Sequence, residues 1–277
     1  LRNEQKILKY KGRVVFEKLS VPDFTRLPKE YFEQEACFIF VNKGGFSVRT
    51  QDEYLDLEQG SAVLAKCLNY FFEANKNKGT GTGVEVIGLL LYPDLVQELF
   101  QFDLSTSSHT VDYNIKKVVV NKLLENFKES ISILLDHPDV ADEALIKNKL
   151  KEFVMLISKS VDAPSELDFL AAMFKPRFAD FKAIIHANLY SNLSLNEFAA
   201  LCHLSTSTFK RKFKDVFSES PKKYISRLRI THAAGLLKTQ EGRISDIAYD
   251  LGFESIATFN RAFKAQFNVS PSAYRLT

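Results

Sequence analysis

The stretch "FKRKFKDVFSESPKKY", Phe209–Tyr224, returns fifty residues later as "FNRAFKAQFNVSPSAY", Phe259–Tyr274. Three Phe, an Arg, a Lys, a Ser-Pro pair and a Tyr keep their register. On a helix, Phe209, Phe213 and Phe217 fall within about 80° of one another, which predicts one buried stripe. Ser207, Arg211 and Lys214 then lie on the opposite side, with Lys210 at its flank. Phe259, Phe263 and Phe267 repeat the stripe, and Ala257, Arg261 and Lys264 repeat the outer face. Ser220-Pro221 and Ser270-Pro271 each supply an N-cap followed by Pro at the first helical position, a helix start.

Upstream, "LNEFAALCHLSTSTF" leads into the first copy and "ISDIAYDLGFESIATF" into the second. Ala199 matches Ala248, and Cys202-His203-Leu204 matches Leu251-Gly252-Phe253, after which the second copy carries one extra residue. Each unit therefore reads as a short helix with a small residue, a tight turn, and a longer helix with a basic face, which is a helix-turn-helix. Gly252 suits a turn that needs φ > 0. The segment "PKKYISRLRITHAAGLLKT" joins the two units, predicting a helix from about Pro221 to Lys238.

Two such units in about a hundred residues resemble the AraC/XylS family of bacterial transcription regulators. "ISDIAYDLGFESIATFNRAFKAQFNVSPSAYR" follows that family's signature along nearly its whole length, and "RLRITHAAGLL" resembles its connecting helix. His203 departs from it, standing where the family usually has a turn Gly. The resemblance implies two recognition helices entering successive major grooves, about 34 Å apart. Side chains on the outer face read base edges there. The base-contacting positions it implies are Ser207, Lys210 and Arg211, then Ala257, Thr258 and Arg261. Lys214, Lys222, Lys223 and Lys264 are assigned to phosphate, which fixes register without reading sequence. Double-stranded DNA and RNA polymerase are the implied partners. The competing reading is a protein-binding module that uses its helical repeat for partner contacts, with the basic residues forming a solvated face.

Charge is distributed accordingly. From Phe178 onward there are 14 Lys and Arg against 8 Asp and Glu, a net +6; the remainder has 23 against 26, a net −3. A basic half joined to a mildly acidic one points to an anionic partner for the former. The three cysteines, Cys37, Cys67 and Cys202, make no CxxC pair and are odd in number, which suits a reduced, cytoplasmic chain. The first residues contain no apolar core of signal-peptide length, and the chain opens on Leu1, which reads as a residue or two removed. The longest apolar run, "VIGLLLY", is too short to span a bilayer.

The expected fold class is α+β. Residues 1–170 form a sensing or dimerisation domain, with a cupin-like barrel over about 10–100 and helices over about 113–160; residues 171–277 form the all-α DNA-binding domain. The barrel rests on short strand-like runs, "RVVFEKLSV", "ACFIFVN", "GFSVRT", "EYLDL", "SAVLAKC", "YFFEA" and "VEVIGLLLY", several separated by Gly-bearing turns that include "KNKGTGTG". Pro93 opens a short helix. Ile115, Val119, Leu123, Phe127, Ile131 and Leu134 recur at helical spacing and predict one helix, either a homodimer seam or a cover for the barrel. Phe38, Phe40, Phe46 and Phe72 either line a pocket for an apolar effector or are core. Control by a regulatory protein fits equally well. The histidines are His109, His137, His186, His203 and His232, so none lies in the barrel, and no metal site or cofactor is expected there. With no nucleophile or nucleotide motif either, the chain is not expected to be an enzyme.

Overall fold

The computed structural model describes residues 4–22, 24–29, 35–74, 83–239 and 242–276. They divide into two compact units, Leu1–Phe178 and Ala179–Thr277.

The front unit is mainly antiparallel sheet. Its strands are β1 Glu4–Tyr10, β2 Arg13–Val21, β3 Arg26–Lys29, β4 Ala36–Lys43, β5 Gly45–Arg49, β6 Tyr54–Glu58, β7 Ala62–Ala65, β8 Tyr70–Ala74, β9 Val84–Leu91 and β10 Ile115–Val118. Among the described residues they make a six-stranded sheet, β1-β2-β9-β4-β7-β10, and a four-stranded sheet, β3-β8-β5-β6, rather than a closed ring of strands. The seven strand-like runs of the sequence are all strands; most of the "KNKGTGTG" turn lies outside the described residues. β1, β3 and β10 went unread because each is short or strongly polar.

Among the described residues, four α-helices complete this unit: α1 Pro93–Phe100, α2 Lys122–Asp136, α3 Glu143–Ser160 and α4 Glu166–Met173. The single helix expected through Ile115 is corrected here. Ile115 belongs to β10, paired with Ala65 of β7, and the helix starts only after Asn121, whose side chain accepts from the Leu123 and Leu124 amides. The buried stripe of α2 is Leu124, Phe127, Ile131 and Leu135. Phe127 and Phe153 of α3 lie 5.6 Å apart, and Phe153 is 5.1 Å from Phe38 of β4, so both helices pack on the large sheet. Val119 and Leu123 are 85% and 62% exposed, which puts them outside that packing.

The second unit is helical: α5 Phe181–Ala187, α6 Leu195–Leu201, α7 Thr206–Phe217, α8 Pro221–Thr239, α9 Ile244–Asp250, α10 Ile256–Phe267 and α11 Pro271–Arg275. α6–α7 and α9–α10 are the two expected helix-turn-helix units and α8 is the helix between them.

Candidate nucleic-acid interface

The two long helices of the repeat are built alike from the first residue. Ser205 caps α7, its hydroxyl accepting from the Thr208 amide at 3.3 Å; Ser255 caps α10, accepting from Thr258 at 3.2 Å. Each cap hydroxyl also donates to the Thr side chain, Ser205 to Thr208 Oγ1 at 2.9 Å and Ser255 to Thr258 Oγ1 at 3.0 Å. Both helices end on a left-handed residue, Ser218 with φ 57° and Asn268 with φ 62°.

The turns are likewise twins. After α6, the His203 amide donates to Ala200 O at 3.0 Å and Leu204 to Ala199 O at 2.9 Å. After α9, Gly252 donates to Tyr249 O at 2.9 Å and Phe253 to Ala248 O at 3.0 Å. This is the double bond of a Schellman stop, which needs a left-handed residue at its centre. His203 adopts it with φ 53° and Gly252 with φ 78°.

Beneath each long helix lies an aromatic box, which explains why Ser-Pro and Tyr belong to the repeated phrase. Phe209 and Phe213 are fully buried; Phe213 and Phe217 lie 4.5 Å apart, and Tyr224 of the next helix closes on Phe217 at 4.3 Å. In the second copy Phe263–Phe267 is 4.9 Å and Phe267–Tyr274 is 5.1 Å. The Pro-started helix thus folds back so that its Tyr seals the end of the stripe. α5 adds Phe181 to the first box, 5.6 Å from Phe209. α8 supplies the equivalent wall of the second unit through Ile230, Ala233, Ala234 and Leu237.

With the stripe buried, the other face is solvated. Ser207, Lys210, Arg211 and Lys214 of α7 are exposed, as are Ala257, Thr258, Arg261 and Lys264 of α10 and Lys222 and Lys223 of α8. Among the described residues, none of these Lys or Arg is in an ion pair. Neighbouring cations are engaged: Lys212 sits 4.9 Å over the Phe181 ring, and Arg227 pairs with Glu219 at 3.4 Å. Two positions assigned to base contact are held by the caps, since the Thr258 hydroxyl accepts from Ser255 and Ser207 Oγ lies 3.1 Å from Ser205 Oγ. Sequence reasoning passed over exposed Asn260, the counterpart of Lys210, although the fifty-residue register pointed to it.

It also passed over Arg229, read as one residue of the connecting helix. Arg229 is 9% exposed. Its Nε donates to Leu189 O and its Nη1 to Gly252 O, each at 2.6 Å, while Nη2 donates to Ser191 O. Burial lowers the guanidinium pKa to about 10. A lone Arg in an amphipathic helix carries no sequence signal of three carbonyls converging on it.

In the front unit, the four rings named as a pocket pack on one another in pairs, Phe38–Phe40 at 4.8 Å and Phe46–Phe72 at 5.2 Å. A cavity of about 380 Å³ lies elsewhere, between His109–Tyr113 and α4, where Phe169 and Met173 line it. Beside it Lys66, 1% exposed, donates to Val111 O at 3.4 Å and Lys175 O at 3.2 Å, and burial lowers its pKa. Asn114 and Arg177 exchange two hydrogen bonds, of 2.7 and 2.8 Å. Among the described residues there is no metal-binding cluster of His, Cys, Asp or Glu, and no helix long and apolar enough to cross a membrane.

Two family models match the chain: a helix-turn-helix domain over residues 198–277 and the ExsA N-terminal regulatory domain over residues 36–168. The virulence regulon transcriptional activator VirF of Yersinia enterocolitica is 26% identical over 88% of this chain and 90% of its own length. The HTH-type transcriptional regulator AlkR of Acinetobacter baylyi is 35% identical, but over 39% of this chain and 35% of AlkR. The solved structure of ToxT from Vibrio cholerae is 14% identical with a TM-score of 0.39, covering 95% of this chain and 98% of that one.

Proposed function

Since the chain belongs to the AraC/XylS family of DNA-binding transcription regulators and carries an N-terminal regulatory domain, we propose that α7 and α10 enter successive major grooves of one DNA site. The observation that carries this reading is the doubled cationic face, solvated and free of ion pairs among the described residues, held on two Ser-capped helices. Arg211 and Arg261 are the readers, because a guanidinium fork matches guanine O6 and N7. Lys210 and Asn260 flank them, and Asn offers a bidentate match to adenine. Ser207, Ala257 and Thr258 face the groove at the helix starts, with Thr258 oriented by its cap. Lys214, Lys222, Lys223 and Lys264 meet phosphate.

The division at residues 178 and 179 separates control from reading. The front unit regulates rather than catalyses, through a homodimer contact, an effector or a protein partner. A small effector would suit the 380 Å³ cavity, which is within the usual size of ligand pockets. The Lys66 and Asn114 bonds would pass its effect to Lys175–Arg177, where this unit ends. As a bacterial regulator the chain would act in the cytoplasm and address RNA polymerase from its DNA site.

The test is a binding titration on the site found by footprinting. Arg211→Ala and Arg261→Ala should each cost about 1–3 kcal/mol of specific binding and relax preference at different base positions. Lys214→Ala should weaken all sequences alike and reduce the salt slope by about 1. Wild-type affinity in both Arg variants would remove them as readers.

A further inference from the structure

We propose that Arg229 is a positioning residue that sets the spacing at which the two reading helices address DNA, an inference that rests on both helices entering one site. Three backbone carbonyls meet at its guanidinium, and they come from two places. Leu189 and Ser191 follow α5, the helix whose Phe181 packs against the α7 stripe. Gly252 is the turn that aims α10. Arg229 itself stands on α8, so a single side chain ties the connecting helix to both halves.

The fit at this junction is close. A Cβ on residue 252 would stand 2.7 Å from Ser191 O and 2.8 Å from Tyr190 O, so the second turn rests directly on the segment behind the first unit. The guanidinium also lies over the Phe253 ring, 5.9 Å from its centre. Carbonyl dipoles pointing at one another repel when no donor stands between them, and a buried acceptor left unpaired is costly. The cation is what allows these segments to approach. Without it the junction opens, and the α10 turn is free to shift relative to α7.

Spacing specificity follows from that rigidity. Moving one subsite by a base pair shifts it by about 3.4 Å and rotates it by about 34° around the duplex. A fixed pair of helices cannot follow such a change, whereas a loosened pair can. Arg229 touches no base in this scheme, so its removal alters the tolerated spacing rather than the bases preferred.

The experiment titrates the full-length protein on its native site and on two derivatives with one base pair inserted or removed between the subsites. Wild type should lose about tenfold or more on each derivative. Arg229→Met, similar in volume but unable to donate, should bind the native site more weakly and lose less than about threefold on the derivatives. A purely structural role would lower the active fraction equally on all three DNAs and leave the ratio unchanged, so a folded R229M with the wild-type ratio overturns the proposal. If R229M lacks a native circular dichroism spectrum, Arg229→Lys decides, because it keeps the charge but not the fork: a reduced ratio supports the proposal and a wild-type ratio overturns it. Should wild type itself bind all three DNAs equally, the two-groove reading fails first and the proposal fails with it.

Discussion

Gly252 and His203 occupy the same place in two copies of one turn, yet their surroundings differ. Both are left-handed, but only Gly252 also has backbone carbonyls where a Cβ would sit. Gly252→Ala combines positive-φ strain with overpacking and should cost about 2–4 kcal/mol. His203→Gly removes strain but frees the unfolded chain, and should change stability by no more than about 1 kcal/mol in either direction. Urea unfolding followed by circular dichroism checks both; a G252A protein within 1 kcal/mol of wild type would refute the close-approach argument. The need for φ > 0 at Gly252 was legible from the aligned turns. Its second constraint was not, because it arises from residues 190 and 191, which no local pattern connects to it.

At the level of elements, repetition made the second unit readable. Two aligned copies tell which residues belong to the stripe, the cap and the turn, and the structure has α7, α8 and α10 where that comparison placed them. The same caps give a prediction. Ser205→Ala and Ser255→Ala should each destabilise by about 1 kcal/mol, and Gly at either position by only a few tenths, because Gly leaves the first-turn amides open to water. Wild-type melting of both Ala variants would mean the hydroxyls contribute nothing as caps. The helix expected from Ile115 failed for a related reason. Apolar residues at helical spacing ran across a strand, a gap and a helix, and the Asn121 cap that marks the true start has no partner copy to expose it. The aromatics of the front unit could be seen as buried, but not whether they enclose space, since ring packing depends on which strands pair.

For the whole molecule, the charge split of +6 and −3 matches a DNA-facing unit joined to one that faces something else. If the front unit dimerises, Val119 and Leu123 are the exposed apolar pair beside the start of α2, while Phe127, at 1% exposure, is core. Val119→Glu with Leu123→Glu should therefore keep the native circular dichroism spectrum and still bind a single site. Occupancy of paired sites should lose its cooperativity, an effect of linked sites worth about 10²–10⁴ in apparent affinity. A fragment of residues 179–277 should behave the same way. Unchanged cooperativity in both would leave an effector or a protein partner as the means of control.

The aromatic boxes bear finally on how the chain finds its fold. Phe217 meets Tyr224 within one turn and its neighbours, and Phe267 meets Tyr274 in the same way. The front sheet instead pairs Phe16 with Leu89, far apart along the chain. By loop-closure entropy, joining that pair costs about 2 kcal/mol more than closing one box. α7 and α10 are therefore each anchored by contacts that close locally, whereas the front sheet must wait for distant segments to meet. The helical unit carries the smaller topological delay.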